Sequence, residues 1–145
     1  MTSYEKDFYR WTNQQVLLLH QKDFKNVDIV HLIEEIKSLG NSERDKLESH
    51  LTILFMHLLK IKYQPEKKTR SWDISVKMSI VHANKTLKKN PSLKSKLISL
   101  SKDAYETARY AAAQETGLEV ETFPEDCPWK LNDILLIKKN IKDRK

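Results

Sequence analysis

The sequence predicts an all-α protein, a helical bundle of five main helices plus a short C-terminal helix. The chain has 145 residues with only two glycines and four prolines, and these fall where the apolar rhythm stops, as they do in helical proteins. Apolar residues recur at alternating steps of four and three, which is the period of an amphipathic helix. No stretch alternates apolar and polar residues for long enough to predict a strand.

The first two helices are predicted from aromatic and aliphatic stripes. The first covers about Tyr4 to Gln21, and one of its sides is aromatic and apolar, with Tyr4, Phe8, Trp11, Gln15 and Leu18. The second covers about Val27 to Leu39, with Ile29, Leu32, Ile36 and Leu39 on one stripe. Gly40 follows as a C-terminal cap, because glycine adopts the left-handed backbone of that position without strain. A turn at Gly40 and Asn41 would make the second and third helices a hairpin.

The remaining helices follow with short connections, which favour antiparallel neighbours in a bundle. The third begins at Asn41 or Ser42, both good caps, and runs to about Tyr63, with Leu47, Leu51, Leu54, Leu58 and Ile61 on one stripe. The fourth is predicted from about Ser71 to Lys89. The fifth is predicted from near Ser92 to the residue before Gly117, with Leu93, Leu97, Leu100 and Ala104 on its apolar face. A short last helix is predicted over Leu131 to Ile137, followed by a basic tail from about residue 138.

The length and composition predict a single helical domain spanning 1–145. The single cysteine, Cys127, excludes an internal disulfide, and we expect a cytoplasmic location. The apolar runs are far shorter than the roughly 20 residues that span a bilayer. We interpret Cys127 as a small apolar anchor, with a pKa raised by acidic neighbours.

The charge is uneven along the sequence. The formal net charge is +6, yet positions 62–102 carry 11 basic and two acidic residues. Such a segment attracts phosphate backbones without reading base sequence. Solvated helix faces are the alternative, and an acidic protein partner is a third. The candidate nucleic-acid-binding residues are Lys67, Lys68, Arg70, Lys77, Lys85, Lys88 and Lys89.

One polar constellation is predicted at the hairpin of the second and third helices. Glu35, partly desolvated at the edge of its stripe, would reach across a seam to His57 first, or to Lys60 or Arg70. His31, His50 and His57 with Glu35, Glu43 and Lys46 nearby raise the alternative of a metal site. A structural seam is the better interpretation, so no metal and no cofactor are assigned.

Catalytic motifs give little support to an enzyme. Phosphate-binding glycine motifs, the nucleophile elbow and the zinc-protease motif do not occur. Arg44 and His50 stand at the spacing of the arginine and histidine in HEPN-type ribonucleases. A helical wheel places them on opposite sides of the apolar stripe, so the pair is a weak candidate.

The chain resembles the bacterial family known as domain of unknown function number twenty-nine, common in cyanobacteria. The resemblance covers nearly the whole chain and follows motifs at 4–11, 32–36, 39–44, 57–60, 63–65, 70–72, 112–117 and 123–129. It implies a helical fold and a bacterial origin, and no activity. It directs attention to Glu34, Glu35, His57, Lys60 and Arg70, whereas His31 and His50 lie outside its motifs.

These patterns favour a non-catalytic protein-interaction module, acting as a homo-oligomer or with a protein partner and without a membrane. Nucleic-acid binding through positions 62–102 is the alternative. A metal-dependent or HEPN-like ribonuclease is the third possibility.

Overall fold

The all-α fold is confirmed in a computed structural model that describes residues 3–135. Helical structure covers 81% of these residues, and no strand occurs among them. The six α-helices are α1 (Ser3–Lys6), α2 (Phe8–His20), α3 (Ile29–Tyr63), α4 (Arg70–Lys89), α5 (Leu97–Thr116) and α6 (Leu131–Ile134). Three short 3-10 helices lie at Pro65–Lys67, Pro91–Lys96 and Val120–Thr122.

The predicted turn at Gly40 and Asn41 is wrong, because the second and third predicted helices form the single 35-residue helix α3. Glycine in a helix interior costs about 1 kcal/mol relative to alanine. Ending a helix there would instead leave several backbone groups without their intrahelical partners. The helix therefore continues through the glycine, and the predicted hairpin does not form.

Two other helix boundaries differ from the predictions. The predicted first helix is divided at Asp7, whose side chain accepts a hydrogen bond from the backbone of Arg10 at 3.1 Å and so caps α2. The predicted fifth helix starts later than Ser92, since a 3-10 helix precedes Leu97. The predicted end of the last helix at Ile137 and the basic tail lie outside the described residues.

The chain divides into two compact units, an N-terminal unit at 1–41 and a C-terminal unit at 42–145. Whether these make one domain, as the sequence predicts, stays a prediction. The boundary falls within α3, so the first part of this helix belongs to the N-terminal unit and the rest to the C-terminal unit.

The C-terminal unit has a continuous apolar core. The second part of α3 contributes the fully buried Leu47, Leu51 and Leu54, on the predicted stripe. α5 meets them with a face of small residues that includes Ala104 and Ala108, so its backbone approaches closely. The core comprises Leu47, Leu51, Leu54, Phe55, Leu59, Ala83, Leu87, Leu100, Ala104, Tyr105, Ala108, Ala112, Phe123 and Leu135.

The segment after α5 closes one end of this core. Gly117 ends α5 with a φ of +77°, a left-handed conformation that suits glycine. The Tyr105 hydroxyl then donates to the Pro124 carbonyl at 2.6 Å. The Arg109 guanidinium donates to the carbonyls of Val120 and Phe123. These bonds hold the loop so that Phe123 is buried.

Candidate interaction surface

Asp28 organises the N-terminal unit, where α2 meets the start of α3. Its carboxylate accepts from the Trp11 indole Nε1 at 3.0 Å and contacts the His31 Nδ1 at 2.7 Å. It also accepts from the backbone of His31, so it caps α3. The backbone N–H of Asp28 donates to the buried Gln15 side chain at 2.7 Å. One carboxylate thus joins α2 to the first turn of α3.

Tyr4 continues the contact one turn further along α3. Its hydroxyl donates to Glu35 Oε1 at 2.6 Å, and its ring stacks on the His31 imidazole with centroids 3.9 Å apart. Trp11 packs edge-on against Tyr4. Asp28, just before α3, contacts Gln15 and Trp11, whereas Glu35, two turns later, contacts Tyr4. The contacts thus move toward the N-terminus of the chain as α3 proceeds. The two helical segments therefore run antiparallel.

The charges in this contact shift the pKa values of three side chains. The hydrogen bond to Asp28 raises the pKa of His31, and the same bond lowers the pKa of the Asp28 carboxyl. The hydrogen bond to Glu35 raises the pKa of Tyr4 to about 12, since an ionised phenol would lose its donor proton. The arrangement favours a charged imidazolium between the Asp28 carboxylate and the Tyr4 ring.

Despite these contacts, the N-terminal unit leaves most of its large apolar side chains exposed. Trp11 is its single buried hydrophobic residue among those described. Eleven large apolar side chains are more than 40% exposed, namely Phe8, Tyr9, Val16, Leu17, Leu19, Phe24, Ile29, Val30, Ile33, Ile36 and Leu39. We call these eleven residues the N-terminal apolar surface. The described part of the C-terminal unit, more than twice as long, exposes six comparable side chains.

The apolar surface of α3 faces away from its contacts with α1 and α2. At 100° per residue, the face of Ile29, Ile33 and Ile36 is centred roughly 130° from the face of Asp28, His31 and Glu35 that makes those contacts.

On α2, Trp11 and Gln15 form the face that contacts α3. The face of Phe8, Val16 and Leu19 is centred roughly 70° from it, rotated in the same direction along the chain as the apolar face of α3 is from its contact face. Because the two helices run antiparallel, an equal sense of rotation places both apolar faces on the same side of the pair. The two faces therefore form one surface.

The residues of the predicted polar seam have other partners. Glu35 accepts from Tyr4, and the His57 Nδ1 lies 2.9 Å from the Ile53 carbonyl one turn earlier in α3. The hairpin that would have brought Glu35 to His57 does not exist, because both lie on one helix. Arg70 lies exposed at the start of α4.

Lys60 occupies the most enclosed polar position of the predicted set. Its side chain is 8% exposed, and its ammonium bonds Glu115 at 3.1 Å. The same ammonium lies 4.4 Å from the Trp72 ring centroid, within the range of a cation–π interaction. Lys60 thus links α3, α4 and α5, and its role in the C-terminal unit is to hold three helices together.

The histidines do not gather as a metal site among residues 3–135, where no cluster of three potential ligands occurs. His31 pairs with Asp28, whereas the His50 ring packs edge-on against His82 with centroids 4.9 Å apart. Burial lowers the pKa of His50. Glu43, a candidate ligand in the sequence, bonds Lys89 at 2.8 Å and Asn90 at 3.1 Å.

The ribonuclease pair is also separated. Arg44 lines a shallow pocket with Lys96 and Asp103 at the start of α5, and its guanidinium lies 3.5 Å from Asp45. His50 faces His82 of α4 instead. Because the two side chains face different helices, they do not converge on one phosphate.

The seven basic candidates divide by their partners. Lys68 bonds Asp73 at 3.0 Å and Lys89 bonds Glu43 at 2.8 Å. Arg70, Lys77, Lys85 and Lys88 share one side of α4, within roughly 80° on the helical wheel. No carboxylate lies within 4 Å of these four among the described residues. Lys67 is exposed in the 3-10 helix before α4.

Cys127 is half-buried beside the core, and its pKa is raised as predicted. The cause is burial rather than the neighbouring acids, and a hydrogen bond with the Trp129 backbone opposes it. A thiol with a raised pKa is a weak nucleophile, which agrees with an anchoring role.

The N-terminal apolar surface was missed at the sequence level, although its signal was present. Phe8, Ile29, Ile36 and Leu39 lie on the predicted apolar stripes, and the structure leaves all four exposed. Val16, Leu17, Val30 and Ile33 lie off those stripes. Apolar residues on a second face of an amphipathic helix indicate a second packing partner. The Asp28 network was missed because its members lie 13 to 17 residues apart and no local pattern pairs them.

The fold defines an all-α protein with a well-packed C-terminal unit and an N-terminal unit whose large apolar side chains are mostly exposed. The chain matches the family model "Domain of unknown function DUF29" over residues 3–138 and belongs to that family. No curated protein and no solved structure matches the chain. Among the described residues, every helix is too short or too polar to cross a membrane.

Proposed function

We propose that the protein is a non-catalytic interaction module that binds a protein through its N-terminal apolar surface. The observation that supports this is the contrast between eleven exposed large apolar side chains and one buried one in residues 3–41. Single exposed hydrophobic residues are ordinary, whereas contiguous apolar surfaces mark contact sites. Both faces lie on one side of the α2–α3 pair, so one partner can cover both.

The energy available is large enough for stable binding. Fully burying a valine, leucine or isoleucine stabilises by about 1.5–3 kcal/mol relative to leaving it in water. These side chains are roughly half exposed, so covering them offers on the order of 10 kcal/mol before the costs of association. A polar contact network at Asp28 already fixes the two helices, which reduces the ordering cost of binding.

Site-specific photocrosslinking in the native cell tests this proposal. A photoreactive amino acid replaces Ile33, 48% exposed within the surface, or Ile98, 86% exposed in the C-terminal unit. We expect a discrete protein adduct from position 33 and none from position 98, with the adduct identified by mass spectrometry. Absence of an adduct at 33, or equal adducts at both positions, would overturn the proposal.

Nucleic-acid binding is the second candidate, and the basic side of α4 favours it. Arg70, Lys77, Lys85 and Lys88 share that side and have no acidic partner among the described residues. Ile74, Met78 and Val81 lie among them, each close to half exposed, and apolar groups add nothing to a phosphate contact. This mixture makes nucleic acid the weaker candidate.

Gel retardation at low salt tests the second candidate. Binding through these residues should weaken steeply with rising salt, because each phosphate contact releases a counterion. Replacing Lys77, Lys85 and Lys88 with glutamate should abolish it. Replacing Lys68 and Lys89, which already bond carboxylates, is the matched control and should weaken it less. Absence of retardation of RNA and DNA would exclude this function.

A further inference from the structure

We infer that the occupant of the N-terminal apolar surface is a second copy of this chain, with the two α3 helices packed antiparallel. This inference rests on the proposed function, because it names the partner of the same surface. Three properties of the surface support a second copy over an unrelated protein: the register of its stripe, its charge and its area.

The stripe on α3 is symmetric about residue 34. Ile29, Leu32, Ile36 and Leu39 follow a 3-4-3 spacing, the a/d pattern of helices that pack side by side. In an antiparallel pair centred on residue 34, Ile29 lies opposite Leu39 of the other copy and Leu32 lies opposite Ile36. Each of these four apolar residues then meets another of the four, so the stripe is self-complementary, as a twofold-symmetric interface requires. Ile29, Ile36 and Leu39 belong to the N-terminal apolar surface, and Leu32 lies partly buried between them.

The charge of the N-terminal unit permits self-association. Residues 1–41 contain five basic and six acidic residues, a formal net charge of −1. The other 104 residues contain 21 basic and 14 acidic residues, a net of +7, so contacts between copies through them would meet repulsion. The nearly neutral unit is therefore the part of the chain best suited to meet its own copy.

The area agrees with a stable dimer. Eleven roughly half-exposed side chains present on the order of 500 Å² of apolar surface, because a fully exposed one offers roughly 100 Å². A standard interface takes about 800 Å² from each partner, and rather more than half of that area is apolar. The N-terminal apolar surface therefore supplies about the apolar share of one standard interface.

Light scattering coupled to size-exclusion chromatography of the full chain tests the inference. We expect twice the chain mass at micromolar concentration. The dimer should persist at high salt, because its contacts are apolar. Ile36→Lys, at a position 65% exposed, should give the monomer mass, and Ile98→Lys in the C-terminal unit should leave the dimer unchanged. Circular dichroism of each variant confirms that its helices remain.

Disulfide trapping tests the antiparallel register. In a Cys127→Ala background, chains with Ile29→Cys are mixed with chains with Leu39→Cys and oxidised. We expect the mixed 29–39 disulfide to dominate. Dominant 29–29 and 39–39 disulfides would show parallel helices and overturn the inference.

The two proposals fail differently. A wild-type monomer, or a dimer that Ile36→Lys leaves intact, overturns the second copy as occupant. If position 33 nevertheless crosslinks to another protein in the cell, the interaction surface stands and only its occupant changes. If position 33 crosslinks to nothing, the surface itself is disproved.

Discussion

The two units of this protein differ in how far they bury the apolar faces of their amphipathic helices. In the C-terminal unit, fourteen hydrophobic side chains form one core. In the N-terminal unit, Trp11 is the one buried hydrophobic side chain among the described residues. Both units are built from amphipathic helices with apolar stripes at steps of three and four. An amphipathic stripe therefore shows that a helix needs a partner, but not whether the same chain supplies it.

Helix α3 has a buried apolar stripe in its second part and an exposed one in its first part. Leu47, Leu51 and Leu54 are fully buried, whereas Ile36 and Leu39, a few turns earlier, are about two-thirds exposed. The sequence pattern is alike in both parts, so the difference lies in what surrounds them. α4 and α5 cover the later part, while α1 and α2 contact the earlier part through a polar and aromatic face.

The largest expected effect contrasts two positions on α3. Leu54→Ala should lower the free energy of unfolding by about 2–5 kcal/mol, because it leaves a cavity in a packed core. Ile36→Ala should cost less than about 1 kcal/mol in protein dilute enough to be monomeric, since its side chain is 65% exposed. Urea titrations followed by circular dichroism measure both. Equal costs would show that the two parts of α3 do not differ as described.

Most of the fold was predictable because periodicity is a local property. The stripes at 47–61 and 93–104 identified the core of the C-terminal unit, and Gly117 was placed correctly beyond the end of its helix. The wrong predictions were at Gly40 and Asp7. Gly40 was predicted to end a helix and lies inside one, and Asp7 was predicted inside a helix and caps one. Cap preferences are worth about 1 kcal/mol, so longer-range backbone bonding and packing decide such positions.

The exposure of the N-terminal apolar surface was less predictable than the fold for a physical reason. Whether Ile33 or Val16 is buried depends on the placement of other elements and other chains. Lys60 illustrates the same limit, because its partner Glu115 lies 55 residues away and on another helix. Sequence reasoning selected Lys60 as a polar residue of interest, and only the structure assigns its partner.

A smaller effect contrasts the two glycines of the chain. Gly40 lies inside α3, and a Cβ added there would meet no atom outside its own helix backbone within 4 Å, so Gly40→Ala should stabilise by about 1 kcal/mol. Gly117 has a φ of +77°, so Gly117→Ala should destabilise by about 1 kcal/mol or more. Thermal melts give both values. A loss of stability from Gly40→Ala would support the predicted turn at Gly40 and contradict a continuous α3.

The smallest effect concerns the contact between Asp28 and His31, which is partly exposed and screened by solvent. The folded state raises the pKa of His31 above 6.5 and lowers that of Asp28 below 3.8. The His31 contribution to stability is therefore complete below pH 6.5 and is lost as the pH rises through the raised pKa. The Asp28 contribution is complete above pH 3.8 and is lost as the pH falls through the lowered pKa.

Both contributions are present between pH 3.8 and 6.5, so the N-terminal unit should be most stable in that window. Asp28→Asn keeps a side chain that caps α3 but removes the charge, so the pKa of His31 should fall back toward 6.5. Glu34→Gln removes a weaker electrostatic attraction for the charged imidazole, so it should lower the pKa of His31 less than Asp28→Asn does. NMR titration of the His31 ring signals measures both shifts. An unchanged pKa in Asp28→Asn would mean that the carboxylate does not hold the imidazolium, and that the contact joining α2 to α3 is not electrostatic.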